Sequence, residues 1–511
     1  MNTTAGIETV DLMVVGGGIN GVGIARDAAG RGLSVTLAEK NDLASATSSS
    51  STKLIHGGLR YLEYYEFRLV REALGEREVL LASAPHIIWP LRFVLPHEKS
   101  LRPVWMIRIG LFLYDHLGGR RTLPGSRKID LRRPPYAGAL KSGLKTGFEY
   151  SDCWVNDARL VVLNAIDARE RGARIMTRTA CISARRDGPT WIAELEGEEG
   201  KRSTVRARAL VNAAGPWTGE FLAKEMGRGG GDKLRLVKGS HIVIDRLYPG
   251  EHAFILQNID RRIVFTIPYE GCFTLVGTTD IPYHDDPAKV RIAEDETRYL
   301  CEVVNHHFNR QISPADVVWH YSGVRPLFDE DGSESASAVS RDYVLDLEHD
   351  ENGPPLLNVF GGKITTYRRL SEHALQKLKP YFPAARGDWT TGAKLPGGDI
   401  PGADFTRFLA EQTRRYPWLG TEAALRLARA YGTRLKRILG DARSLADLGA
   451  HFGGDLYQRE VEYLVEQEWA RSAEDVLWRR SKLGLHLTPA AMQRLREWFS
   501  IEAGQRAAAL P

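Results

Sequence analysis

Gly16, Gly18 and Gly21 stand as G-x-G-x-x-G directly after an apolar run, Val10 to Val15, and directly before helix-like text, Val22 to Arg31. That context separates the motif from a chance cluster of glycines. The first glycine permits a tight turn, the second lets backbone approach a pyrophosphate, and the third lets helix and strand pack. The helix N-terminus then offers unpaired N–H groups to the anion. Leu33 to Glu39 reads as a second strand and completes a βαβ unit. Glu39 ends it, placed to accept hydrogen bonds from both hydroxyls of an adenosine ribose and to repel a 2′-phosphate. Ile19, Asn20 and Lys40 flank the same turn. The motif points to a dinucleotide without saying which one.

At 511 residues the chain calls for two or three domains, and 43% hydrophobic with 26% charged residues excludes a disordered, collagen-like or coiled-coil protein. A net charge of +5 does not call for nucleic acid. Arg120, Arg121, Arg127, Lys128, Arg132 and Arg133 are clustered, however, as an anionic surface or a solvated loop requires. Cys153, Cys181, Cys272 and Cys301 show no short paired spacing, so no metal site and no disulfide framework is expected, and a reducing compartment fits. The first 25 residues hold no basic side chain and no apolar core of a secretory signal, which leads to a cytoplasmic expectation. The most apolar stretch, Pro103 to Tyr114, is broken by Arg108 and falls short of the ~20 residues of a spanning helix. It suits a buried helix or one that dips into a single leaflet, and the basic cluster downstream favours the second.

From about Ala173 to Pro282 strand-like runs dominate, which predicts mixed sheet. Gly387 to Gly402 is rich in Gly, Pro and Thr and reads as a linker, after which the text is helical. Arg434, Lys436, Arg437, Arg479 and Arg480 alternate with apolar positions and read as solvated helix faces, not a nucleic-acid surface.

Ser48 to Glu78, SSSSTKLIHGGLRYLEYYEFRLVREALGERE, carries a family resemblance. Together with GGGINGVG, VNAAGPW, KGSHIV, GTTD, SGVRPL, GGKITTYR and LWRRSKLGLHL, it closely resembles the FAD-dependent respiratory glycerol-3-phosphate dehydrogenases, relatives of the glycine oxidase and D-amino acid oxidase fold. The resemblance covers the whole chain. It implies an α/β plus α architecture: a Rossmann-like FAD-binding part interleaved, over residues 1–386, with a mixed-sheet substrate part at about 80–150 and 220–340. A linker at 387–402 and a helical domain at 403–511 follow. It also implies FAD as cofactor and oxidation of sn-glycerol 3-phosphate to dihydroxyacetone phosphate by hydride transfer from C2 to flavin N5. The electrons go to membrane quinone, with the enzyme peripheral on an anionic inner membrane face. The oligomeric state, a homodimer included, stays open.

A flavin in such a βαβ unit needs further segments to reach its distal parts. Ser48 to Thr52, Ser50 and Thr52 above all, offer hydroxyls near the pyrophosphate, Gly57 and Gly58 allow close approach of backbone to the ring, and Asn212 to Trp217, with Ala213, Gly215 and Trp217, ends a strand against the nucleotide. Gly361, Gly362, Lys363, Ile364 and Thr365 form a strand-to-helix turn; its N–H groups and Lys363 would stabilise negative charge on a reduced flavin. For a phosphorylated secondary alcohol, Arg325 and Arg60 are the leading phosphate ligands, with Arg341 third, because a planar guanidinium binds phosphate oxygens bidentately. His56 is preferred as the base, His241 as a hydrogen-bonding group, and Tyr61, Thr278 and Lys363 as further contacts. An oxidase that uses oxygen, and a non-catalytic nucleotide-binding protein, are the competing expectations.

Overall fold

A computed structural model describes residues 8–98, 103–119, 122–227, 234–258, 260, 262–328, 342–348 and 353–508. Arg120, Arg121, Arg341 and the Ser-rich stretch 329–340 lie outside the described residues.

The glycine motif sits where its neighbours dictate. Strand β1 (Glu8–Val15) runs into the turn, helix α1 (Ile19–Gly30) leaves it, and strand β2 (Val35–Ala38) pairs parallel to β1. Leu12, Met13 and Val14 are fully buried, as an apolar run must be when helices and sheet cover both faces of a parallel strand. The strand order is Val344–Glu348, Leu356–Phe360, Arg202–Asn212, β1, β2, Arg174–Met176, with the Ala180–Asp187/Thr190–Glu196 hairpin attached to Arg202–Asn212. α1 packs on the helices Asp157–Glu170 and Tyr367–Leu378. A Cβ on Gly23 would lie 2.6 Å from Ser371 Oγ, so this glycine sets how closely the helices approach.

The strand-rich middle of the chain divides between two sheets. Residues up to Asn212 join β1, whereas Leu234–Asp245, Ala253–Gln257, Ile263–Tyr269 and Phe273–Gly277 build a second, ten-stranded sheet. That sheet also takes Leu54–Ile55, Ile88–Pro96, Thr146–Val155 and Val317–Phe328. One parallel pair, Ala253–Gln257 with Ile88–Pro96, makes it mixed. The antiparallel register of Leu234–Asp245 with Val317–Phe328 sets Arg325 opposite Val237 and Tyr321 opposite His241.

Helix α2 (Val104–Leu117) buries Ile107, Leu111 and Tyr114 against this second sheet and leaves Trp105, Met106, Ile109 and Phe112 at 44–62% exposure. The apolar text thus serves two surfaces, one inside the protein and one outside it.

The C-terminal helices have their own apolar core, Tyr416 to Leu495. They dock through buried charge. Arg480, fully buried, places both Nη atoms 2.7 Å from the Asp42 carboxylate, and Arg159 Nη2 lies 2.9 Å from Glu468 Oε1. Arg434 is buried too, with Nη1 2.7 Å from Glu170. Arg434, Arg479 and Arg480 are therefore not solvated helix faces: each exchanges water for a carboxylate, Arg479 with Asp42 and Asp475, while Lys436 and Arg437 stay exposed. Losing one partner of such a pair costs about 3–5 kcal/mol because the other charge is stranded. Residues 387–402 pack along the way, with Trp389 under Arg26 and Arg171 and with Leu395 and Ile400 buried.

Candidate active site

The first cavity lies over the glycine turn and opens about 1030 Å³ of space between Gly16, Gly18, Glu39, Lys40 and the 213–217 segment. Its floor is backbone. Gly16 has φ +109°, and a Cβ there would collide with the Ala213 carbonyl; one on Gly21 would collide with the carbonyl of Gly16. Glu39 is anchored from below. Gly17 N–H donates to Oε2 at 2.6 Å and Asn41 N–H to Oε1 at 2.8 Å. Burial pushes its pKa up, while these two bonds favour the charged form. A carboxylate accepts about four hydrogen bonds, so two sites remain for a ribose. Ser48 Oγ accepts from Ile19 N–H at 3.0 Å, and Lys40 Nζ sits 3.9 Å over the Trp217 ring. Ser48, of the hydroxyl-bearing stretch expected near the pyrophosphate, lines the cavity, as do Asn41, Thr47, Cys181 and Ile182, for which the sequence gives no ligand signal.

Asn20 links the glycine turn to the Gly361 to Thr365 segment. Its Nδ2 donates to the Gly361 carbonyl at 3.1 Å, and its Oδ1 is buried without a hydrogen-bond partner among the described residues. A bare glycine floor and an anchored acid with acceptor positions to spare are what an adenosine diphosphate portion needs, so the residues present fit FAD.

The second cavity brings together His56, Gly58, Arg60, Tyr61, Thr278 and Arg325. These come from positions more than 260 residues apart and meet because the second sheet folds back over the 56–61 turn. Arg325 Nη2 lies 3.1 Å from Asp280 Oδ1 and 3.1 Å from the Thr279 carbonyl, which aims the guanidinium while leaving it 29% exposed. Glu63, Gln257, Arg262 and Asp280 line the cavity as well. Asp280 closes the GTTD segment that also carries Thr278. Leu69, Leu95, Ile263 and Phe265 give the lining an apolar part.

Two bonds hold the histidine turn. His56 N–H donates to Thr365 Oγ1 at 3.2 Å, tying it to the Gly361 to Thr365 segment. Gly57 N–H donates to the Tyr114 hydroxyl at 2.8 Å; Tyr114, on α2, donates in turn to Asp152 at 2.7 Å, and Arg77 Nη1 backs Asp152 at 2.9 Å. Gly58 has φ +77°, a conformation that favours glycine. Lys363 Nζ lies 3.6 Å over the Tyr61 ring.

Of the residues expected to touch cofactor or substrate, Ile19, Asn20, Gly21, Ser50, Thr52, Gly57, His241 and Gly361 to Thr365, Lys363 included, line neither cavity. His241 is buried, stacked on Tyr321 with its Nε2 3.0 Å from Thr52 Oγ1. Burial, with Lys53 and Arg325 nearby, holds its pKa well below the usual imidazole range, so the ring is neutral. Ser50 Oγ lies 3.4 Å from the Ala46 carbonyl. The sequence distinguishes a histidine on a strand from one on a glycine turn, but not a strand's inner face from its cavity face.

Residues 11–368 match the family of FAD dependent oxidoreductases, and residues 389–505 match the C-terminal domain of alpha-glycerophosphate oxidase. The chain is 58% identical to a glycerol-3-phosphate dehydrogenase of Pseudomonas aeruginosa, over 98% of this chain and 96% of that one. It is 54% identical to the aerobic glycerol-3-phosphate dehydrogenase of Escherichia coli, over 98% and 99%. It is also 54% identical to a D-erythritol 1-phosphate dehydrogenase of Brucella abortus, over 96% and 98%. Among solved structures, the FAD complex of a Bacillus halodurans glycerol-3-phosphate dehydrogenase superimposes with a TM-score of 0.74 at 28% identity, covering 97% of this chain and 94% of that one.

Proposed function

We propose, from the premise that this chain belongs to the FAD-dependent glycerol-3-phosphate dehydrogenases, that it takes electrons from substrate in the second cavity and delivers them to quinone in a membrane on which α2 rests. The enzyme is a flavoprotein and oxidises sn-glycerol 3-phosphate to dihydroxyacetone phosphate. The observation that carries the site assignment is that the His56–Arg60 turn meets the distant Arg325 in one recess, tied through Thr365 to the Gly361 to Thr365 segment, which Asn20 links to the glycine turn.

In this reading Arg325 and Arg60 bind the phosphate. Asp280 keeps the Arg325 fork in place without cancelling its charge, since a dianion faces the other edge. His56 accepts the proton of the 2-hydroxyl; a positioned base of this kind contributes roughly 10²–10⁴ in rate. When bound, the flavin supplies the acceptor for the hydride that leaves C2. Lys363 and the N–H groups at the start of the Ile364–Thr366 turn would favour negative charge on a flavin bound beside them. Tyr114 and Thr365 keep His56 in register through the backbone on either side of it.

No described helix is long and apolar enough to cross a membrane. Attachment in one leaflet rests on the exposed face of α2, Trp105, Met106, Ile109 and Phe112, with Arg108 beside it. Burying those four side chains would contribute on the order of 5 kcal/mol, enough for reversible binding that anionic lipid reinforces. The apolar part of the recess lining, Leu69, Leu95, Ile263 and Phe265, gives a quinone a surface that a soluble acceptor would not need. The test is flotation with anionic vesicles, together with acceptor assays. Flotation lost in Trp105→Ser/Phe112→Ser, with quinone reduced and no stoichiometric peroxide, is expected; peroxide formed mole for mole would make the enzyme an oxidase. The Brucella relative makes D-erythritol 1-phosphate the comparison substrate. A kcat/KM at least tenfold higher for glycerol 3-phosphate is expected.

A further inference from the structure

Away from both cavities, three side chains from distant parts of the chain converge. Glu98 follows the strand Ile88–Pro96, and His306 and His307 are the last two residues of helix α3 (Glu294–His307). Glu98 Oε1 lies 3.3 Å from His307 Nε2 and 3.5 Å from His306 Nε2. All three atoms fall within 4.8 Å of one another.

These separations are long for an ion pair, because a charge-assisted N–H···O bond closes to about 2.7–2.9 Å. They match a shared metal. Ligand atoms about 2.0–2.1 Å from a tetrahedral zinc stand about 3.3–3.4 Å apart. The ring orientation agrees. His307 Nδ1 lies 2.9 Å from the Val303 carbonyl one turn back and donates to it, while the rest of the ring faces Glu98 and the Gln257 backbone. A second-sphere bond of this kind is what fixes a metal-ligating imidazole. His307 is buried while His306 is exposed, so the cluster has both a fixed ligand and an entry side.

We propose that Glu98, His306 and His307 bind a divalent metal of the zinc type, with water completing the tetrahedron. Two imidazoles with one carboxylate select such an ion over the oxygen-seeking Mg²⁺ and Ca²⁺. The role is structural. The metal staples the end of the Ile88–Pro96 strand, whose Leu95 lines the recess, to the end of α3, and it touches neither substrate nor flavin.

The test titrates the FAD-loaded full chain, stripped by chelator, with zinc chloride in a calorimeter, with calcium and magnesium chlorides as comparators. Glu98→Gln and His306→Ala are the variants, since both side chains reach solvent and neither belongs to the catalytic machinery. One zinc per chain at micromolar affinity or tighter is expected, weakened at least tenfold in each variant, with a rise in Tm confined to the wild type. Zinc bound equally well by both variants, at the exposed Cys272 or elsewhere, overturns the proposal, and so does the absence of binding at about 100 µM.

Discussion

In the nucleotide cavity the chain presents its backbone, whereas in the neighbouring recess it presents side chains. The floor of the first is local in sequence, since Gly16 to Gly21 shape it and Glu39 is anchored by the N–H groups of Gly17 and Asn41, while the 180–182 and 213–217 segments close its sides. The second is assembled from residues 56–61, 257–280 and 325, none of which neighbours the others in sequence. The difference follows from the two tasks. A pyrophosphate asks for N–H groups and close approach, which glycine supplies locally. A small mobile dianion asks for fixed cations on several sides, which only tertiary structure can surround it with. Binding of cofactor and binding of substrate should therefore fail separately.

Gly16→Val should break the first half outright. A side chain at φ +109° would collide with the Ala213 carbonyl, so the purified variant should be colourless, with flavin content below about a tenth of wild type. Retained yellow colour would show that the turn is not the cofactor floor. His56→Gln should leave the colour intact and slow anaerobic flavin reduction by roughly 10²–10⁴, the contribution of a positioned base, with little change in substrate affinity. A wild-type reduction rate would assign the proton to another group. Arg325→Ala should also stay yellow and raise KM about a hundredfold, since stranding a buried charge partner costs about 2–5 kcal/mol. An unchanged KM would remove Arg325 from the phosphate site.

The smallest effect concerns acid. Burial holds His241 and His252, both in the second sheet region, below the usual imidazole pKa, His252 down to about 4. Below about pH 6.5 the unfolded chain takes up protons that these folded imidazoles refuse. Stability thus falls as pH drops toward about 4, by up to about 1.4 kcal/mol per pH unit for each residue. Asp42, which docks the C-terminal helices beside the nucleotide cavity, behaves otherwise: its arginine partners Arg479 and Arg480 depress its pKa, so its contribution is lost only below the ordinary carboxylate range. Denaturant melts between pH 7 and 4.5 should show this loss, and His252→Phe should flatten part of it. A variant slope equal to wild type would contradict the account.

Legibility in the sequence tracks the same division. The βαβ unit, its three glycines and Glu39 were readable because each acts within a few residues of the next. His56, Arg60, Tyr61, Thr278 and Arg325 were named through the family resemblance, and the structure gathers them in one recess. Asp280, Gln257 and Arg262 were not, because their roles depend on which strand lies opposite them, and register leaves no local mark. His241 shows the converse: a histidine in a segment linked to the site faces Tyr321 and Thr52 instead of the cavity. Arg480 and Arg434 looked solvated because helical periodicity records which face is polar, not whether a carboxylate waits across an interface. The two faces of α2 explain why one apolar segment supported both a buried and a membrane-facing reading.

The account stands on a phosphorylated alcohol and a flavin meeting at Arg60, Arg325 and His56. Its most direct test is the visible spectrum of the yellow holoenzyme under anaerobic conditions, before and after one equivalent of sn-glycerol 3-phosphate, with glycerol and inorganic phosphate as separate controls. Bleaching by the phosphorylated alcohol alone is the expected result; a spectrum that stays yellow with it, or that glycerol bleaches equally well, would contradict the assignment.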